Sequence, residues 1–278
     1  MTKEKVIVDS QWLLENLENP LIVIIDCRFQ LADPSWGQQE YDSGHIRGAH
    51  YLNLDQDLSD KVQSHGGRHP LPNIQNFATK LEAIGVVKNQ SLVVAYDDSR
   101  FAFAARLRWL LRYLGHDSVF LLDGGWNGWK DANYPISTTV PEVAQGNFVP
   151  QVQDNWTVDI EKVKASGTDS EVVIVDSRDR DRYEGKREPI DPIAGSIPGA
   201  VNSPWKQVTN FQGYLQPLDY QKQLWSDYQS ASEIIVYCGS GVTACVNLLS
   251  LELAGFSNAK LYPGGWSGYI SDQSSVIS

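Results

Sequence analysis

One of the three cysteines stands where its thiol can act as a nucleophile. The run Tyr237-Cys238-Gly239-Ser240-Gly241-Val242-Thr243-Ala244 follows an apolar, strand-like stretch, Glu233–Tyr237, and precedes a stretch of helical spacing. A strand-to-helix turn points successive backbone N–H groups at whatever sits on the cysteine sulfur, and the helix N-terminus adds partial positive charge. Gly239 and Gly241 let the backbone curl closely around that sulfur. Ser240 and Thr243 carry hydroxyls able to donate to a sulfur anion or a substrate carboxylate, although Thr243 also reads as a residue that starts the helix. The chemistry predicted for this loop, closed by Val242, is thiolate attack followed by storage of an anionic adduct on Cys238.

The elements that position the loop occur twice. Leu21-Ile22-Val23-Ile24-Ile25-Asp26-Cys27-Arg28 is answered by Val172-Val173-Ile174-Val175-Asp176-Ser177-Arg178. Gly44-His45-Ile46-Arg47-Gly48-Ala49 is answered by Gly195-Ser196-Ile197-Pro198-Gly199-Ala200. Leu92–Asp97 is answered by Ile234–Cys238, and Gly124-Gly125-Trp126 by Gly264-Gly265-Trp266. Four matches in one order describe a duplicated domain, with a period far longer than that of solenoid repeats. Each half alternates apolar strands with helical stretches, Phe103–Leu114 and Val242–Ala254 among them, which predicts an α/β fold with a mostly parallel sheet flanked by helices. Ligands of such sheets gather beyond the carboxyl ends of the strands, where Cys238 falls. The prolyl run Val140–Pro150 separates the halves, so the expected domains are 1–145 and 156–278, joined by a linker at 146–155. At the position of Cys238 the first half has Asp97, so that half is expected to be non-catalytic.

Composition narrows the partners. A formal charge of −11 disfavours nucleic acid and anionic membranes. With 42% hydrophobic residues over 278 positions, each half can bury a core of its own. The start, Met1-Thr2-Lys3-Glu4-Lys5-Val6, lacks the apolar stretch of a signal peptide, and no apolar run approaches a membrane span. Cys27, Cys238 and Cys245 do not read as a disulfide framework, and about two helical turns, roughly 10 Å, separate Cys238 from Cys245. The expected location is the cytoplasm, with Cys27 and Cys245 as structural residues. No cluster has metal-ligand spacing, so neither metal nor organic cofactor is expected.

A duplicated α/β domain with Gly-Gly-Trp in both halves, and Cys-Gly-Ser-Gly-Val-Thr-Ala in the second alone, resembles the tandem-domain rhodanese-type sulfurtransferases over nearly the whole chain. The resemblance implies two rhodanese-like domains, the second catalytic, with the active site at their interface. It also implies a cysteine that takes sulfur from a donor, forms a persulfide and passes the sulfur to an acceptor. The loop is similar to that of the 3-mercaptopyruvate branch; the alternative donor is thiosulfate, and a persulfide carrier or sensor is the non-enzymatic alternative. Cysteine phosphatases use a longer loop ending in an arginine, and Cys238–Ala244 contains neither Arg nor Lys.

In the mercaptopyruvate branch a serine two places after the cysteine acts with an Asp and a His, which nominates Ser240, Asp55 and His69 here. An imidazole can shuttle the proton as a thiol arrives or leaves. The resemblance also places a substrate-binding arginine at Arg182, whose competing reading is an ion pair with Asp179, Asp181 or Glu184. The branch's second arginine has no direct match in Lys186-Arg187-Glu188-Pro189-Ile190-Asp191, where Ile190 or Asp191 takes its register. Arg187, or Lys186, is the expected substitute. Arg178 is expected to pair with structural carboxylates near the strand end, and the same is expected of its counterpart Arg28. The implied acceptors are a thiol, cyanide or a thioredoxin-like protein.

Overall fold

A computed structural model describes residues 6–142 and 145–272. The N-terminal reading at Met1–Lys5, and Val143 and Ala144 of the prolyl run Val140–Pro150, lie outside the described residues. The chain divides into two compact units. The first contains Met1–Asp60, Pro72–Gln153 and Thr209–Leu215; the second contains Lys61–Leu71, Asp154–Val208 and Gln216–Ser278. This differs from a single break in the linker, because Lys61–Leu71 packs with the second unit and Thr209–Leu215 with the first.

In chain order the first unit carries β1 (Ile7–Val8), α1 (Ser10–Glu15), β2 (Ile22–Asp26), α2 (Trp36–Ser43), β3 (His45–Ile46) and β4 (Ala49–Tyr51). It continues with α3 (Ile74–Ala83), β5 (Leu92–Tyr96), α4 (Ala104–Tyr113), β6 (Val119–Leu122), α5 (Gly125–Asp131) and β7 (Ile136–Ser137). Its main sheet is parallel, in the order β1-β6-β5-β2-β4. The second unit carries α6 (Ile160–Ser166), β8 (Val172–Asp176), α7 (Arg180–Tyr183), β9 (Val201–Asn202), α8 (Leu218–Leu224), β10 (Glu233–Tyr237), α9 (Ala244–Leu253), β11 (Ala259–Leu261) and α10 (Gly265–Asp272). Its parallel sheet runs β11-β10-β8-β9, the order of β6-β5-β2-β4 repeated.

The central strands β5 and β10 are buried almost from end to end, as expected of β-branched strands covered on both faces. The helix after each is sunk into its unit, with Ala104–Leu111 and Ala244–Leu251 buried. A buried helix has no freedom to drift, so the loop at its N-terminus is held in place.

The four recurring motifs meet in one buried cluster in each unit. Arg28 grips Asp26 through Nε and Nη2, donates to the Gly44 carbonyl at 2.7 Å and lies 4.3 Å over the Trp126 ring. Arg178 grips Asp176 in the same way, donates to the Gly195 carbonyl at 2.6 Å and lies 5.1 Å over Trp266. The Ile46 and Ile197 amides donate to the hydroxyls of Tyr96 and Tyr237, the last residues of β5 and β10. Removing one partner from such a buried ion pair typically costs about 3–5 kcal/mol. Asp-x-Arg, Gly-x-Ile and Gly-Gly-Trp therefore recur because together they fix the strand end from which the loop springs.

Candidate active site

Cys238 follows the last residue of β10 and is 2% exposed. The loop Cys238–Thr243 is backed by the start of α10. The Trp266 amide donates to the Cys238 carbonyl at 2.8 Å, and the Ser267 amide to the Gly239 carbonyl at 2.9 Å. These bonds hold the loop carbonyls toward α10. Gly265, at φ +58°, is what allows the approach: a Cβ there would lie 2.7 Å from both the Cys238 carbonyl oxygen and the Ser240 nitrogen. Gly241, at φ +75°, turns the loop against Pro263. In the sequence the Gly-Gly-Trp pairs read as tight turns with packed indoles; that Gly265, the first residue of α10, backs the Cys238 loop is seen only in the fold.

Thr243 is the N-cap of α9, yet its hydroxyl makes no capping hydrogen bond. Cys245 is buried and its thiol leans on the Gly241 carbonyl at 3.5 Å. Among the described residues all three cysteines are free thiols.

The first unit shows what such a loop does with an anion. The buried Asp97 carboxylate accepts from the amides of Ser99 and Phe101 on one oxygen and from those of Phe103 and Ala104 on the other, at 2.9–3.0 Å. Two consecutive left-handed residues, Arg100 and Phe101, shape this cradle. Burial outweighs the four donors and raises the Asp97 carboxyl to about 6. The loop that lacks a nucleophile thus fills its own nest of amides with its own side chain.

In the second unit, Ser240 and His69 form a buried pair, Oγ to Nδ1 2.6 Å, with both residues at most 6% exposed. His69 arrives on the segment Lys61–Leu71, which seats glycine on glycine. A Cβ on Gly67, at φ +93°, would fall 2.4 Å from the Gly264 carbonyl, and one on Gly268 would fall 3.2 Å from the Gly66 carbonyl carbon. The Arg68 amide also donates to Ser267 Oγ. Gly66 and Gly67 are thus positioning residues that sequence reasoning did not single out. Asp55 lies in the first unit, in the turn after β4, where its amide is held by the Asn53 side chain.

Arg182, on α7, does not pair with Asp179, Asp181 or Glu184 through its side chain. Its guanidinium bonds Glu188 in bidentate fashion, at 2.7 and 3.1 Å, and Asp191 at 3.2 Å. Arg178 also reaches Glu188 at 3.2 Å. Neither expected substitute for a second arginine joins this group. Arg187 is half-exposed and pairs with Asp181, while Lys186 is 72% exposed and pairs with Glu184. The turn of α7 bonds the Lys186 and Arg187 amides to the Asp181 carbonyl, setting both side chains among the exposed carboxylates of that turn. The cation that does join the group is Arg68, whose Nη1 pairs with Asp191. Burial lowers the Arg68 guanidinium from its ordinary value, with Arg182 and Arg178 acting in the same sense and Cys238 and Glu188 against it.

A twice-repeated parallel sheet, with a cysteine loop on one repeat and a carboxylate-filled loop on the other, defines a tandem α/β protein carrying one nucleophilic site. Residues 9–132 and 159–272 both match the rhodanese-like domain, and the chain belongs to that family. It is 40% identical over 271 residues to the probable 3-mercaptopyruvate sulfurtransferase of Pseudomonas aeruginosa, covering 96% of this chain and 95% of that one. A Mycobacterium tuberculosis relative, SseB, named for thiosulfate sulfurtransferase activity, is 34% identical over 258 residues, covering 90% and 88%. The crystal structure of the 3-mercaptopyruvate sulfurtransferase SseA from Escherichia coli matches with a TM-score of 0.82 at 31% identity, covering 94% of this chain and 99% of that one. Among the described residues no helix is long and apolar enough to cross a membrane, and no group of His, Cys, Asp and Glu is arranged to hold a metal.

Proposed function

We infer that this chain is a sulfurtransferase that moves a sulfane sulfur from 3-mercaptopyruvate through a persulfide on Cys238 to a thiol or cyanide. The observation that carries the reading is the duplicated loop. Where one copy keeps a carboxylate in a nest of four amides, the other carries a cysteine whose persulfide is an anion of the same placement.

The Cys238 thiolate attacks the donor sulfur. An S–S bond forms, the donor C–S bond breaks, and its electron pair passes to the three-carbon fragment as the pyruvate enolate. That enolate takes the proton that the donor thiol gives up as the persulfide anion forms, and Ser240 and His69, hydrogen-bonded to each other, are placed to relay it. An acceptor thiolate or cyanide then attacks the outer sulfur and regenerates the Cys238 thiolate, a ping-pong sequence. The loop amides with Thr243 hold the persulfide from the first half-reaction to the second. Arg182 meets the donor carboxylate. The working location is the cytoplasm, where reduced thiols serve as acceptors.

Thiosulfate is the second reading, favoured by the cationic group and by the name of the M. tuberculosis relative. Its leaving group, sulfite, departs without a proton, so the Ser240–His69 pair would have no part in that half-reaction. Cyanide-coupled turnover with each donor, using Cys238→Ser as blank, decides between them. Faster turnover on 3-mercaptopyruvate supports the first reading; preference for thiosulfate replaces it. Sulfur uptake from a protein persulfide without small-donor turnover would mark a carrier.

A further inference from the structure

Deepening that reading and resting on it, we propose that Arg68 is the second cation for the donor's anionic end and that Asp191 is the strut holding it beside Arg182. Asp191 is 2% exposed on its side chain and divides its two oxygens between two arginines: Oδ1 takes Arg68 Nη1, and Oδ2 takes Arg182 Nη2. A carboxylate shared in this way fixes two like charges side by side that would otherwise repel.

Arg68 bonds Asp191 through Nη1 and turns its other terminal nitrogen, Nη2, to the loop, while Arg182 faces the loop with both terminal nitrogens. A Cβ built on Gly239, the residue after Cys238, would lie 2.9 Å from Arg68 Nη2 and 3.7 and 3.8 Å from Arg182 Nη2 and Nη1. Two guanidinium groups therefore roof the loop at Gly239, where a side chain would push Arg68 aside and touch Arg182. A planar carboxylate whose sulfur is presented to Cys238 lies within reach of both groups, each offering N–H donors in a fixed plane.

Charge counting makes Arg68 more than an extra donor. Three guanidinium groups, Arg68, Arg178 and Arg182, face three carboxylates, Asp176, Glu188 and Asp191. Without Arg68 the group is net negative, and an anionic donor meets repulsion as well as a missing hydrogen bond. Arg187, paired outside this group, contributes nothing to it.

The test combines steady-state turnover of 3-mercaptopyruvate with competition by pyruvate, which has the carboxylate and no sulfur. Arg68→Met should raise the donor KM and the pyruvate inhibition constant together, by about tenfold or more, with kcat within about threefold. Arg68→Lys should recover part of the loss, and Arg187→Ala should leave both constants unchanged. Arg68→Met with Asp191→Asn restores neutrality and should recover part of the loss, which a packing role for Arg68 would not do. An unchanged KM in Arg68→Met overturns the proposal. An unchanged KM in Asp191→Asn alone overturns the strut, because that variant loses the bonds to both arginines. Calorimetric binding of pyruvate reads the anion site apart from catalysis. If the wild type turns over neither donor, the sulfurtransferase reading falls, whereas weaker pyruvate binding by Arg68→Met still supports the anion site and equal binding overturns it.

Discussion

Gly265→Ala tests whether the Gly-Gly-Trp turn sets the nucleophilic loop. The new Cβ would lie 2.7 Å from the Cys238 carbonyl oxygen, 2.7 Å from the Ser240 nitrogen and 2.8 Å from the Gly239 carbonyl carbon, all backbone atoms. Relaxing the closest contacts from 2.7 Å to the 3.4 Å of ordinary contact moves loop or helix by about 0.7 Å. The left-handed backbone adds about 1–2 kcal/mol, and forced overpacking about 1–3 kcal/mol. Total destabilisation is therefore roughly 2–5 kcal/mol. A displacement of that size at the reacting sulfur should also lower kcat of the folded protein by about 10- to 100-fold. Gly255→Ala is the control, because Gly255 has φ +96° with nothing within 4 Å of a Cβ. It should carry the conformational cost alone and keep wild-type turnover. Thermal melts and cyanide-coupled turnover, run side by side on both variants, decide the matter. Matching behaviour of the two variants would refute the idea that Gly265 positions the loop.

Three further outcomes are expected. His69→Asn should lower kcat on 3-mercaptopyruvate by about 100-fold while changing thiosulfate turnover less than about threefold, because only the first leaving group needs a proton; equal losses on both donors would remove His69 from proton transfer. Gly67→Ala, whose Cβ would meet the Gly264 carbonyl at 2.4 Å, should lift the segment carrying Arg68 and His69 and reduce kcat/KM on 3-mercaptopyruvate by about tenfold or more, and unaltered kinetics would contradict the glycine-on-glycine seating. His116 is buried, accepts the Asn89 amide on Nδ1, and is lowered by burial to about 4. The unfolded chain therefore binds the proton more tightly, so stability held above pH about 6.5 is lost as pH falls toward about 4; denaturant melts of wild type and His116→Gln should converge across that window, and parallel curves would refute the assignment.

Much of the fold was legible because it is written in local runs. Leu92–Asp97 and Ile234–Cys238 announce buried strands by composition, and their recurrence announces the duplication. Cys238 was legible because glycines at a strand-to-helix junction have a narrow set of uses. Arg68 was not, since its role depends on packing between residues far apart in sequence: Gly67 with Gly264, and Arg68 with Asp191. Looking for the second cation near Arg182 in sequence led to Lys186 and Arg187, which the turn of α7 directs to exposed carboxylates. Asp97 was read only as the lack of a thiol, because four amide donors from its own loop are not visible in a string of residue types.

Lys61–Leu71 is built into the second unit although it precedes the bulk of that unit by more than eighty residues of chain. During synthesis this segment leaves the ribosome well before α10 and the Cys238 loop, so the residues that seat it, Gly264 and Ser267, follow much later. Completion of the second repeat is then a long-range closure, the slow kind of folding event. A fragment beginning at Asp154 would carry Cys238 and Arg182 but neither Arg68 nor His69. The two copies of one domain have each taken in a short segment from the other's stretch of chain, so a cut in the linker would leave neither unit whole.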